Sequence, residues 1–229
     1  EVREQIANIG RDVPSNARFS AEEKKRYVEF AVRELEKEIN HSGRDVKHVL
    51  FLGALLNRAA ELDPQRYLPM AERALQDAIR LSPTRQVIYL ELAQTYLSAG
   101  QQERAVEVLH RGWVIEKSFK NVGTSLWSLA AAAKQQDIID EVRAVFDIQT
   151  LSDDELRRIV AGYQRSRDFA HVAEIYKILV EGHPNNPAFR AVYAALLAET
   201  GKIAEARAET AEGEVFELAH RQVSQHDVT

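Results

Sequence analysis

Apolar residues recur along this chain at helical intervals, and the most regular stretch runs from Ser82 to Gly112. Two amphipathic helices meet there at Gly100. Large residues fall at Tyr89, Leu92 and Tyr96 on the first helix. Small residues fall at Ala93 and Ala105, where two backbones must come close, and Leu109 sits one turn beyond Ala105. Upstream, Ser20-Ala-Glu-Glu23 is a capping box, in which the Ser oxygen takes a first-turn N–H and Glu23 reaches back. It opens a helix with the stripe Tyr27, Ala31 and Leu35, accompanied by Val28, Val32 and Ile39, and His41-Ser42-Gly43 marks its end. The next helix carries Val49, Leu52, Gly53 and Leu56. Asp63-Pro64 caps its partner, which carries Ala71, Leu75 and Ala78 and closes at Pro83. Downstream, Ser152-Asp-Asp-Glu155 is a second capping box before Leu156, Ile159 and Tyr163, followed by Val172, Tyr176, Leu179 and Pro184. A last hairpin opens at Asn186-Pro187 with Tyr193, Ala194 and Leu197, then Gly201 and Ala206. Thr210 and Gly213 replace the usual large and small residues, so its final helix reads as a terminal cap.

The openings of these hairpins keep a period. Residues 153 and 187 lie 34 apart, while 46 and 86 lie 40 apart, which predicts six extra residues in the corner around Ala60–Gln65. Residues 86 and 153 lie 67 apart, one short of two repeats. An eroded repeat is therefore expected near 119, holding Trp127, Leu129, the Ala130–Ala133 run, then Ile138, Val142, Val145 and Phe146. The Ser82–Gly112 stretch resembles the tetratricopeptide pattern W-x2-L-G-x2-Y…A-x3-F…P, with Tyr for Trp, Ala for Gly and Leu for Phe. The resemblance implies an all-α fold: a tetratricopeptide-type α–α superhelix, a right-handed solenoid of about eleven helices. Residues 1–19, with the weak stripe Val2, Ile6 and Ile9, are expected as a linker or partial helix. Residues 20–222 are expected as one solenoid domain, with a degenerate half-repeat at 20–43 and repeats starting near 46, 86, 119, 153 and 187. Residues 223–229 are expected to fray. The physical drive is burial. A lone hairpin exposes apolar residues on both flanks, and a stacked neighbour covers them at roughly 25 cal/mol per Å².

Composition narrows the function. The chain has 229 residues, 45% apolar and 28% charged, with six prolines, ten glycines and no cysteine. That balance is ordinary for a soluble globular protein, and it excludes a disulfide framework or a cysteine-ligated zinc site. A net charge of −5 argues against nucleic-acid binding by phosphate neutralisation. No apolar run approaches the length that spans a bilayer. The start at Glu1 rather than Met reads as a piece of a longer protein. The seven histidines (His41, His48, His110, His171, His183, His220 and His226) form no H-E-x-x-H motif or tight helical pair, and read as surface residues. Nucleophile-elbow and phosphate-loop motifs are missing. Asp153-Asp154 and Glu22-Glu23 lie in first turns, where they complement helix dipoles. Trp113 and Trp127 fall at core spacing, and Lys24-Lys25-Arg26 reads as a solvated face. No catalytic residue, cofactor or metal site is expected, and the chain reads as non-enzymatic.

In tetratricopeptide proteins the first helix of each repeat lines a concave groove. Carrying the family's groove positions onto matching repeats selects Lys47, Leu50, Asn57 and Arg58; Val87, Leu90, Gln94 and Leu97; Arg157, Gln164 and Arg165; and Ala188, Ala191, Ala195 and Glu199. The candidate site is Lys47, Asn57, Arg58, Leu90, Gln94, Arg157, Gln164 and Arg165, with the two late arginines suited to a carboxylate. The family's peptide-carboxylate clamp needs Lys and Asn where Leu50 and Ala54 stand, so recognition of chaperone tails is not expected. The expected role is a scaffold binding a peptide or protein segment. A structural or self-association module and a saccharide-binding domain are the alternatives, and exposed groove aromatics would favour the last.

A narrower resemblance lies in the phrases Val2-Arg-Glu-Gln-Ile6, Glu34-Leu-Glu-Lys-Glu-Ile39, Leu50-Phe-Leu-Gly-Ala-Leu-Leu-Asn-Arg58 and Ala78–Gln86 leading into Tyr89–Ala93. In order and content they resemble the soluble tetratricopeptide tail of bacterial O-antigen ligase/polymerase-like membrane proteins, Ser118–Ile148 being divergent. The resemblance implies a soluble domain at a bacterial cytoplasmic membrane, within a parent that transfers or polymerises lipid-linked glycan; otherwise the chain is cytoplasmic. It leaves the oligomeric state, the ligand and the side of the membrane open.

Overall fold

The computed structural model describes residues 13, 14, 16–41 and 45–210. The readings of 1–12, Ser42-Gly43, Gly213 and the 223–229 tail lie outside the described residues. Those described form eleven α-helices: α1 (Ala21–His41), α2 (Val46–Ala59), α3 (Pro64–Leu81), α4 (Gln86–Ser98), α5 (Gln102–Ile115), α6 (Lys120–Ala133), α7 (Gln136–Arg143), α8 (Asp153–Arg165), α9 (Phe169–Gly182), α10 (Pro187–Glu199) and α11 (Ile203–Glu209). One 3₁₀ turn, Ile148–Thr150, precedes α8, and no strand occurs among the described residues. The chain divides into two compact units, one ending at Leu126 and the other beginning at Trp127.

The helix ends follow from local chemistry. Ser20 and Glu23 exchange backbone bonds in a closed capping box, with Ser20 N donating to Glu23 Oε2 at 2.8 Å and Glu23 N to Ser20 Oγ at 3.2 Å. Ser152 and Glu155 repeat the device at α8. Asp45, Asp63, Asp168 and Asn186 each accept a first-turn N–H at the starts of α2, α3, α9 and α10. Four of the five turns that join paired helices use one residue at positive φ, and the 60–63 corner uses none. Gly100 (φ 71°) and Gly201 (φ 82°) supply it in two hairpins, and Lys134 (φ 57°) and Arg167 (φ 58°) in two others, at a modest steric cost.

In the first unit, Val28, Ala31, Val32 and Leu35 of α1 pack with Leu52, Leu55, Leu56 and Ala59 of α2 and with Tyr67, Leu68, Ala71 and Ala74 of α3. Gly53 is where α2 meets α3: a Cβ there would stand 2.5 Å from Leu75 Cδ2. Tyr89, Leu92, Ala93 and Tyr96 of α4 are buried, as are Ala105 and Leu109 of α5.

The six extra residues of this first full repeat do not sit where the spacing suggests. Its corner, 60–63, is one residue longer than the 99–101 corner of the next hairpin, and α2 has 14 residues against 13 in α4. The rest lengthen α3, which has 18 residues where α5 has 14. The insertion is chiefly one helical turn, Pro64–Tyr67, added in front of a helix of ordinary length. Pro69 lies inside α3, where its missing N–H gives up one bond of the helical ladder just past the added turn.

In the second unit the eroded repeat keeps its helices by other means. Trp127 is buried and its Nε1 donates to the Tyr163 hydroxyl at 3.0 Å. Ser128 Oγ donates to the Arg158 carbonyl at 2.6 Å. A Cβ on Gly162 would lie 2.1 Å from the Ser128 carbonyl oxygen, so α6 and α8 touch backbone to backbone. The second helix of this repeat is shorter than expected. It ends at Arg143, burying Ile139 and Val142; Ile138 is only half-buried, and Val145 is exposed beyond its end.

A cleft between two first helices

Four of the eight candidate residues meet in one place. Asn57 and Arg58 of α2 and Leu90 and Gln94 of α4 line an open cleft of about 660 Å³ in the first unit. Its apolar surface is Ala54, Leu68 and Leu90, and its polar rim adds Glu61, Glu91 and Ser98. Neighbouring first helices flank it because the 34- and 40-residue spacings bring the same face round in successive repeats. A polar strut joins them. Asn57 Nδ2 donates to the Glu91 carbonyl at 2.9 Å and to Glu91 Oε2 at 3.1 Å. The buried Thr95 hydroxyl donates back to Asn57 Oδ1 at 2.7 Å. Asn57 is therefore largely committed to structure, whereas Arg58 and Gln94 are exposed. Arg58 lies 3.8 Å from Glu61, a loose solvated pair that costs little to exchange for a ligand. No aromatic ring lines the cleft.

The remaining candidates lie apart from it. Lys47 sits exposed at the start of α2 with its ammonium 5.7 Å from the Phe51 ring centroid. Arg157 is already answered by carboxylates of its own helix, Asp154 at 3.4 Å and Asp153 at 4.0 Å, and it lies over the Phe189 ring. The expected carboxylate receptor there starts from an occupied cation. Gln164 and Arg165 are exposed at the end of α8. Leu50 is buried rather than facing a groove.

Sequence reasoning missed Glu61, Pro64, Leu68, Glu91, Ser98 and the Thr95 strut. The surplus of six residues was the signal for Pro64, since the added turn of α3 supplies that wall. Nothing in the pattern marks Thr95.

A second cleft, about 340 Å³, lies across α3, α4 and α5. Three of its lining side chains also meet on Glu72, whose Oε1 accepts from Arg104 Nη2 at 2.6 Å, Tyr96 OH at 3.1 Å and Gln76 Nε2 at 3.1 Å. The Arg104 guanidinium also lies 4.1 Å from the Tyr96 ring centroid. Burial pushes the Tyr96 phenol above its ordinary range, so it remains a donor. The hydrogen bond with Glu72 raises Arg104 further still. This cluster ties three helices together. Among the described residues no group of three or more His, Asp or Glu side chains is placed to hold a metal, and no helix is long and apolar enough to cross a membrane.

No family model matches the sequence, and no curated protein matches it. A solved structure does. A tetratricopeptide repeat protein from Parabacteroides merdae superposes with a TM-score of 0.57 at 14% identity, over 90% of this chain and 77% of that one. Identity that low carries the fold and nothing finer. The O-antigen ligase phrases find no counterpart in these comparisons. Helix order, repeat spacing and this neighbour agree on one statement: the chain has the all-α fold of a tetratricopeptide-repeat protein.

Proposed function

We propose that this chain is a non-catalytic scaffold that takes a peptide or protein segment into the cleft between α2 and α4. The observation that carries this reading is the convergence of Asn57, Arg58, Leu90 and Gln94 on one open cleft of about 660 Å³. An extended segment would set an apolar side chain against Leu68 and Leu90. Its backbone would meet the amide of Gln94 and the hydroxyl of Ser98, and a carboxylate would replace Glu61 beside Arg58. The absence of a ring from the cleft wall favours a peptide over a saccharide, which stacks on aromatic faces. We place the scaffold, as the sequence phrases suggest, in the soluble part of a membrane-bound glycan ligase or polymerase; an upstream run of spanning helices in the full gene would support that setting.

The test is selection of a displayed random peptide library on the immobilised chain, followed by titration of the enriched peptides. Binding should fall at least tenfold in Leu90→Arg and in Arg58→Glu, with unchanged circular dichroism. A library that enriches nothing, or peptides indifferent to both substitutions, would sink the reading. A mass that rises with concentration, in a chain that binds no peptide, would favour self-association.

A further inference from the structure

Five large apolar side chains stand exposed along one edge of the first unit: Leu81, Val87, Val114, Ile115 and Phe119, with Val114 51% and Phe119 40% accessible. They belong to two corners, α3 to α4 and α5 to α6. Each corner joins the second helix of a repeat to the first helix of the next, so both open on the same side. A clamp fixes them together. Gln86 Nε2 donates to the Gly112 carbonyl at 3.0 Å and to the Glu116 carbonyl at 2.9 Å, tying the start of α4 to the end of α5. Trp113 Nε1 donates to the Lys117 carbonyl at 3.0 Å, and the Lys117 ammonium lies over the Trp113 ring. Arg80 and Arg111 line the same cleft beside Ile79, Val108 and the carboxylate of Glu107.

The charge on this edge opposes that of the whole. Residues 80–87 and 111–120 hold five cations, Arg80, Arg85, Arg111, Lys117 and Lys120, against one carboxylate, Glu116. Asp77 pairs with Arg80 and Glu107 lines the cleft with Arg111, so the edge holds five cations against three carboxylates, net +2 within a chain of net −5. Apolar side chains that the fold leaves in water, interleaved with cations, are costly in solution and suited to the boundary between headgroups and acyl chains. A peptide partner at the cleft gives no reason for this charge, and the edge lies outside the cleft's lining.

We infer that this edge rests on an anionic bilayer surface, with Phe119, Ile115 and Val114 entering the headgroup boundary and the basic side chains on lipid phosphates. The inference is independent of the peptide-binding reading. It predicts peripheral binding rather than spanning. Each cation near such a surface contributes about a fivefold gain in partition, and salt screens it.

The experiment is flotation of the full chain with vesicles of phosphatidylcholine and phosphatidylglycerol in equal parts, against phosphatidylcholine alone, at low and high salt. The chain should float with the mixed vesicles only, and less as salt rises. Arg85→Glu with Arg111→Glu should weaken binding about twenty-five-fold or more. Ile115→Ser with Phe119→Ser should abolish it while circular dichroism shows the chain still folded. Phe119→Trp fluorescence should be quenched by lipids brominated high in the acyl chain. Equal flotation with both vesicle types, no flotation, or no quenching overturns the inference. So does a chain that ignores vesicles but dimerises with concentration and returns to monomer on Phe119→Ser, which assigns the edge to a second copy.

Discussion

Two pairs of first helices solve the same packing problem in opposite ways. In the first unit α2 and α4 meet through side chains, Asn57 bonding Glu91 and Thr95, and a cleft opens beside the contact. In the second unit α6 and α8 touch at Gly162 and Ser128, leaving no room for a side chain between their backbones. The paired helices open 40 residues apart in the first case (46 to 86) and 33 in the second (120 to 153). In each pair the residue at the meeting point decides how the two helices touch. The cleft lies beside the pair whose contact residue is the long polar Asn57, and the pair whose contact residue is Gly162 meets backbone to backbone.

The sharpest attack on this comparison is Gly162→Ala. The new Cβ would meet a carbonyl oxygen that cannot rotate away, so α6 and α8 must part. We expect a loss of about 3 kcal/mol in urea unfolding, after a gain of up to about 1 kcal/mol in helix propensity is set against it. Unchanged stability would mean the backbones are not in contact. Ala93→Leu, in the signature repeat, should cost about 1–3 kcal/mol through overpacking, read from the shift of the urea midpoint at constant slope.

Removing the strut tests the other side. Asn57→Ala leaves the buried Thr95 hydroxyl without its acceptor on α2 and should cost about 1–2 kcal/mol. The same substitution should weaken any peptide held in the cleft, because this contact shapes the cleft wall. In the second unit Trp127→Phe deletes the bond to Tyr163 and leaves a small cavity at a buried site, for about 1–2 kcal/mol. Urea unfolding checks both losses.

The smallest expected effect is on acid sensitivity, and it is confined to the first unit. The hydrogen bond from Arg66, at 2.8 Å, holds the Glu29 carboxyl below its ordinary value of 4.5. A depressed carboxylate contributes its stability fully above the unfolded value and loses it as pH falls through the folded one. The melting temperature of Glu29→Gln should therefore fall less steeply below pH 4.5 than that of the parent. Parallel curves would show that this exposed pair contributes nothing measurable.

Much of the chain was legible before any coordinates. Periodicity and caps give helices opening at Val46, Gln86, Asp153 and Pro187, and the 67-residue gap gives one at Lys120 although its signature is worn away. Local chemistry explains this: a cap and an apolar stripe act within a few residues of one another. Leu75, Tyr89, Ala105 and Leu109 are buried where the stripe put them. The cleft was half legible, since family groove positions select Asn57, Arg58, Leu90 and Gln94 without saying that Lys47, Arg157, Gln164 and Arg165 lie apart from them.

What remained depended on pairs of residues far apart in sequence. That Thr95 bonds Asn57, that Trp127 reaches Tyr163, and that Gly162 lies on the Ser128 carbonyl are facts of distance between helices, which no periodicity records. The surplus of six residues was visible as a number, but only packing decided that most of it would be an extra turn of α3 and not a longer corner. The one-dimensional pattern determined that helices form and which faces turn inward, because those choices minimise exposed apolar area residue by residue. The width of the gap between helices was decided in three dimensions, by which atoms happened to meet there.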